Sequence, residues 1–467
     1  MFVGRERELE TLEKACASGS FEMIVVYGRR RVGKTTLLRQ LAKGRRALFF
    51  TAQQQSDRDN LRDFCRTAAL FFGLPEGTTF ESWDAAFSYL AVRAAEQPYL
   101  FVFDEFPYAA AANRSIVSKL QVAVDHELSA TRMCLVLCGS SQGFMEGEVL
   151  GKKSPLHGRR TAQIRLRPLG YLEAARMLPG VGAQRAFEYY ACVGGVPYYL
   201  SRIDSSLSLR DNLACLFFSP QGLLYEEPQM LLRQELREPA LYNSVLRAVG
   251  TGARRKTEIA DRSGVGQASV SKYLRTLTDL DILERAVPFG ESAQDSRRGS
   301  YRMRDAAYDF WYTFVMPSVG DVEEGLGELV AASIPDEVLA TYFGRRFEEV
   351  CRQWMRAQAL ACALPVPVTS VGSWWGGNPL TREQDDIDVV AAGRFSDRVL
   401  LGECKWRESF DESEAFEKLR ARGELLRGYE PAGYYLFSKR PLSEGTSAKV
   451  ADDPLLHAVT LEDLYRA

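Results

Sequence analysis

The run GRRRVGKT sets two glycines, Gly28 and Gly33, ahead of Lys34 and Thr35, with Thr36 following. That is the spacing of a phosphate cradle. Backbone N–H groups of Gly28, Arg29, Arg30, Arg31, Val32 and Gly33 can converge on phosphate oxygens at a helix N-terminus; Lys34 can then reach the terminal phosphates, and the Thr35 hydroxyl can take a place on Mg2+. A second stretch with chemical content lies far downstream. QDDIDVV carries Asp386 and Asp388, and LLGECKW carries Glu403 and Lys405. Residues two apart on a strand share a face, so each pair projects together. If the two strands pair through the short loop AGRFSD, Asp388 and Glu403 come within reach of one divalent cation. Lys405 then stands beside it to hold a water or neutralise a phosphate.

Each group needs elements to hold it. MIVVY ahead of the glycines is an apolar strand, and Leu37, Leu38 and Leu41 behind them fall at helical spacing. A phosphate cradle also calls for a strand ending in an acid. PYLFVFDE supplies it, with Asp104 as the magnesium-side carboxylate. RALFFTA and MCLVLCGSS read as further strands, the second ending in Ser140 and Ser141, either of which could sense a γ-phosphate. Strands alternating with helices predict a parallel sheet with its ligand at the carboxyl ends of the strands.

The middle of the chain predicts a helix-turn-helix. A helix over 257–262 is followed by a turn through Ser263 and Gly264 and a second helix from Gln267 to about Leu280, whose buried face is Val270, Tyr273, Leu274 and Leu277. A strand from Ile282 to Val287 and a loop with Arg297, Arg298, Arg302 and Arg304 would form a wing. Gln267, Ser271, Lys272 and Arg275 point outward, toward DNA phosphates or base edges. Residues 251–304 hold 11 Lys and Arg against 7 Asp and Glu in a chain of net charge −2, so the positive charge is local.

Composition narrows the classes. At 467 residues and 46% hydrophobic content the chain is long enough for about three domains. Nine cysteines never form C-x-x-C and three histidines are scattered, which argues against a zinc knuckle or a histidine metal site and leaves oxygen ligands for any metal. The charged opening GRERELE and the absence of an apolar run near the ~20 residues of a membrane span point to a cytoplasmic protein without membrane contact.

With the phosphate cradle, the segments FVGRERELETL, SPLHGRR and YYACVGGVPYYL resemble the archaeal-type ATPases, a branch close to the STAND NTPases and AAA+ proteins. The resemblance implies ATP and Mg2+ as cofactors. It implies Glu105 as the base that polarises the attacking water, the Gly4-Arg5-Glu6 turn near the base, and Arg159, with Arg160 in reserve, as the γ-phosphate or finger residue. Such ATPases often end in a restriction-endonuclease-like domain. Its pattern appears here as Gly344, Phe347, Glu348 and Cys351, then Asp386, Ile387 and Asp388, then Glu403, Cys404, Lys405 and Trp406. Asp386 departs from the usual Glu. By this resemblance Glu348, Asp388 and Glu403 hold Mg2+ or Mn2+, with Lys405 catalytic beside them.

The expected fold is α/β multidomain: a P-loop parallel-sheet ATPase core (1–170), a helical lid (171–228), a winged helix-turn-helix (229–315) and a C-terminal restriction-endonuclease-like α/β domain (316–467). The expected function is an ATP-binding and hydrolysing switch coupled to a DNA-binding winged helix and a metal-dependent nuclease. The alternative is a nucleotide-driven signalling switch, binding protein or DNA, whose nuclease-like scaffold no longer cuts. Protein partners and oligomerisation stay open.

Overall fold

The computed structural model describes every residue except Met1, Ala293, Leu380 and Ala467. The chain divides into two compact units, Met1–Leu169 with Val196–Tyr198, and Gly170–Gly195 with Tyr199–Ala467.

In the first unit five strands, β1 (Glu22–Tyr27), β2 (Ala47–Thr51), β3 (Leu100–Asp104), β4 (Cys134–Gly139) and β5 (Ala162–Arg165), lie in the order β2-β3-β4-β1-β5, all parallel. Alternation along each strand divides the core between two faces. Met23, Val25, Phe101, Phe103, Leu135 and Leu137 pack on one side, and Ile24, Val26, Val102, Val136 and Cys138 on the other. Both sides are covered by helices, so the central strands β1, β3 and β4 are apolar along most of their length, as a buried parallel sheet requires. An aromatic group of Phe50, Phe64, Trp83, Phe101, Phe103 and Phe106 fills the first face with edge-on and tilted contacts of 5.0–5.9 Å. The strand β5 has no counterpart in the sequence reading: four residues, only one of them fully buried, leave too short a pattern.

The second unit begins with helices Tyr171–Arg176 and Ala183–Val193 and continues through Leu209–Phe217 and Glu227–Glu235. Val196–Tyr198, expected within the lid, packs instead with the first unit. There Tyr198 lies under the Arg31 guanidinium at 4.8 Å. Helix Lys256–Ser263 ends on Gly264, whose φ of 69° supplies the left-handed turn before helix Gln267–Asp279. Val270, Tyr273, Leu274 and Leu277 are buried, and the hairpin of β6 (Leu283–Ala286) and β7 (Ser300–Met303) follows.

The C-terminal part is a 25-residue helix, Asp336–Leu360, then three antiparallel strands, β8 (Ser370–Gly377), β9 (Gln384–Ala392) and β10 (Arg398–Lys405), then helix Glu412–Gly423 and two more strands parallel to β10, β11 (Glu430–Ser438) and β12 (Leu456–Thr460). The mixed sheet runs β12-β11-β10-β9-β8. Trp406, one residue past β10, is wedged between Phe187 and Phe347 at ring distances of 4.3 and 5.3 Å, and this fixes the strand end that carries Glu403 and Lys405. Among the described residues no helix is long and apolar enough to cross a membrane.

Candidate functional site

At the carboxyl end of β1 the chain turns through Gly28, where a Cβ would lie 2.2 Å from the Leu166 carbonyl oxygen, so only glycine fits. Arg31 and Gly33 adopt positive φ (68° and 94°), which curls the loop before helix Lys34–Ala42. Arg5, 7% exposed, braces the loop from outside by donating to the Val32 carbonyl (3.1 Å) and the Arg167 carbonyl (2.6 Å). Arg30 donates to the Tyr108 hydroxyl at 2.5 Å, Arg29 is buried and Thr36 is exposed.

The buried Lys34 Nζ curls back onto the Gly28 and Arg29 carbonyls at 2.8 and 3.0 Å, inside the loop where phosphate oxygens would compete for it. Thr35 Oγ1 donates to Asp104 Oδ2 at 2.9 Å. A hydroxyl and a carboxylate in contact, both hard oxygen donors, suit Mg2+. Glu105 follows in a left-handed conformation (φ 50°), which turns its side chain away from the strand direction. Its Oε2 accepts from both the amide (3.2 Å) and the hydroxyl (2.7 Å) of Ser140 at the end of β4. Of the two serines the sequence offered, Ser140 is therefore the one that contacts the acid.

Arg159 is not with this group. Its guanidinium forms a two-point ion pair with Asp125 (2.6 and 2.7 Å) and also donates to the Pro155 carbonyl. Asp125 lies near the C-terminus of helix Ile116–His126, which leads back toward the start of β4, and Arg159 precedes the first residue of β5. Both therefore sit at the amino ends of the strands, opposite the phosphate loop, so Arg159 is placed away from the γ-phosphate position of its own chain. Arg160 donates to the Leu150 carbonyl at 3.3 Å. Arg165 does lie at the carboxyl end of the sheet, in register with Tyr27 and beside Gln142 (3.4 Å) and Glu146 (3.6 Å). Its signal was hidden because β5 was not legible.

In the C-terminal sheet, β9 and β10 pair from Val399↔Ala392 to Gly402↔Val389 and part just where the acids begin. Asp388 Oδ2 accepts the Cys404 amide at 2.8 Å. Glu403 Oε1 accepts from Lys405 Nζ at 2.5 Å and Oε2 from Arg422 Nη1 at 3.0 Å. On helix Asp336–Leu360, Arg352 (2% exposed) donates to the Asp388 carbonyl at 2.8 Å and pairs with Glu349 at 3.2 Å and Glu348 at 3.5 Å. Burial pushes the Asp388 carboxyl well above its usual range, with Glu348 and Glu403 adding to the effect. Burial likewise raises Glu348, against the pull of Arg352, and Asp386. Glu349 goes the other way: despite burial, Arg352 and Arg356 draw it down to about 2.

Glu348, Asp388 and Glu403 thus gather around one fork, yet each carboxylate is turned to a partner of its own. Among the described residues no group of three or more His, Cys, Asp or Glu side chains is set to hold a metal ion. Arg352 takes up Glu348, and Lys405 with Arg422 takes up Glu403, while the Asp388 carboxylate accepts the Cys404 amide.

Three of the four expected wing arginines are engaged as well, and Arg297 is exposed. Arg298 pairs with Glu291 and donates to the Trp375 carbonyl at 3.1 Å, Arg302 pairs with Glu284, and Arg304 with Asp281 at 2.9 Å. The Phe289 amide donates to the Ser373 carbonyl at 2.8 Å, so the wing loop lies along β8. Gln267, Lys272 and Arg275 stay exposed on the second helix.

Residues 2–203 match the family model of an ATPase domain predominantly from Archaea, 244–286 that of the IclR helix-turn-helix domain, and 311–417 that of archaeal and bacterial proteins of unknown function. An uncharacterized protein of Methanocaldococcus jannaschii is 30% identical over 414 residues, 88% of this chain and 89% of that one. The chain belongs to the archaeal-type ATPase family. A second M. jannaschii protein, an uncharacterized ATP-binding protein, is 44% identical to this ATPase over 46 residues, 10% of this chain and 78% of that one. The Walker-type ATPase of Pyrococcus abyssi shares its fold over 67% of this chain and 96% of that one, at 18% identity and a TM-score of 0.50. The ATPase thus joins a parallel-sheet nucleotide domain to a helix-turn-helix in one chain.

Proposed function

We propose that this protein is an ATP-hydrolysing switch whose nucleotide state governs a DNA-contacting helix-turn-helix. The observation that carries the reading is the Thr35 to Asp104 contact of 2.9 Å, with Lys34 in the loop and Glu105 next in the chain. Lys34 and the loop amides would hold the phosphates of ATP, and Thr35 and Asp104 the accompanying Mg2+, which screens the phosphate charge. Glu105 is suited to take the proton of the attacking water. In Lys34→Ala, ATP-dependent phosphate release should fall to background, because both the phosphate contact and the loop's internal brace are lost. Release at the wild-type rate would end the proposal.

DNA contact is assigned to the second helix, where Lys272 and Arg275 are exposed and Lys272 meets Glu238 only at 3.8 Å, rather than to Arg298, Arg302 and Arg304, which are taken up by Glu291, Glu284 and Asp281. Lys272→Glu with Arg275→Glu is expected to weaken binding to duplex DNA at least about tenfold and to lower the salt slope by roughly two. Fluorescence anisotropy across a salt series reads both. An Arg302→Ala variant should leave the slope nearly unchanged.

A second reading makes the C-terminal domain a metal-dependent nuclease. It is supported by the order of helix, three antiparallel strands, helix and parallel strands, and by Asp386, Asp388, Glu403 and Lys405 meeting where β9 and β10 part. Linear and circular DNA incubated with Mg2+ or Mn2+, with and without ATP, tests it: cutting that disappears in Asp388→Ala and Lys405→Ala supports it. If DNA is bound but stays whole under every condition, the scaffold reading holds.

A further inference from the structure

The opening between β9 and β10 is filled from helix Glu412–Gly423, whose last turn carries Arg422. The guanidinium spans both strands. Nε donates to Asp385 Oδ1 on β9 at 2.8 Å, and Nη1 to Glu403 Oε2 on β10 at 3.0 Å. The second oxygen of Glu403 is held by Lys405 Nζ at 2.5 Å. Glu403 is only 7% exposed, so solvent offers it little else. A planar guanidinium keeps its charge throughout the working pH range, and its fork can bridge two carboxylates at once, which a compact ammonium does poorly.

We infer that Arg422 is the resident cation of this carboxylate cluster: it joins β9 to β10 through Asp385 and Glu403, so it occupies Glu403, a carboxylate that a divalent metal would need, and the fork in this arrangement is closed to metal ions. To enter, a metal must displace Arg422 from Glu403 and then sit beside both Arg422 and Lys405. The inference concerns the C-terminal sheet alone and does not rest on ATP hydrolysis. It stands against the nuclease reading, whose cation would need the same Glu403; its readout is metal binding, whereas that reading is tested by DNA cleavage.

The test uses the full-length chain without nucleotide, titrated with Mn2+ while free Mn2+ is read by electron paramagnetic resonance and thermal unfolding is followed with and without the metal. Wild type should bind no Mn2+ up to about 1 mM, the weak end for protein cation sites, and show no Mn2+-dependent rise in Tm. Arg422→Gln should bind one Mn2+ at least about tenfold more tightly, with a Tm that rises on adding it, and a further Glu403→Gln change should remove both effects. Tight Mn2+ binding by wild type that Glu403→Gln abolishes overturns the inference, as does a folded Arg422→Gln that binds no better than wild type. Should Arg422→Gln not fold, Arg422→Lys replaces it. Its ammonium cannot span Asp385 and Glu403, so its Mn2+ affinity should exceed that of wild type, and unchanged affinity overturns the inference.

Discussion

Glu105→Gln is expected to lower steady-state phosphate release by about 100-fold to 10,000-fold, the range over which a positioned general base contributes, while ATP binding changes little. The side chains that would meet the phosphates and Mg2+, Lys34, Thr35 and Asp104, are untouched. A glutamine oxygen can still accept from the Ser140 amide and hydroxyl, so the left-handed turn at residue 105 and its tie to β4 persist. What disappears is the group that can take a proton. A fluorescent ATP analogue reads binding, and single-turnover phosphate release reads chemistry. Loss of both together would mean that Glu105 holds the loop rather than the water, and unchanged release would remove it from the reaction.

The second large effect lies away from the nucleotide. Arg352→Met should destabilise the C-terminal sheet by about 3 kcal/mol at pH 7, the lower end of the range for breaking a buried ion pair, because Arg356 still reaches Glu349 at 3.4 Å. The substitution keeps the volume of the stem but leaves Glu348, Glu349 and the Asp388 carbonyl without their shared donor. The pH dependence carries a sign. Glu349 is held near 2 in the folded protein, below its ordinary 4.5, so its pairing stabilises the fold fully above pH 4.5 and loses that contribution as the pH falls toward 2. The gap between wild type and Arg352→Met should therefore be widest at neutral pH and narrow below about pH 4.5. Denaturant unfolding followed by tryptophan fluorescence at pH 7 and pH 4 measures it; a gap that is constant or widens in acid would show that the lost packing, not the charge, dominates.

Much of the scaffold was legible because its signals are short-range. The strand ahead of Gly28, the acid-ended strand at Asp104, the two helices around Gly264 and the pairing of β9 with β10 through a short loop each follow from spacing within about ten residues. The Trp406 wedge was readable only as a motif position, since its partners Phe187 and Phe347 come from two distant helices. The pair Glu348 and Arg352, four apart on a helix, has a spacing that the chain alone carries.

By itself the sequence determined which groups can do chemistry: a loop of backbone donors with Lys34 and Thr35, an Asp-Glu pair at a strand end, a helix-turn-helix with an outward basic face, and acids two apart on adjoining strands. Only the tertiary structure decided which charges meet. It tied Arg159 to Asp125 at the far end of the sheet, chose Ser140 for Glu105, turned Arg298, Arg302 and Arg304 onto nearby acids, and brought Arg422 to Glu403. The physical reason is range. Strand and helix patterns are set by neighbours along the chain, whereas an ion pair forms with whichever opposite charge the folded backbone carries to within about 4 Å, and with 59 basic and 61 acidic side chains to choose from the sequence alone does not name the partner.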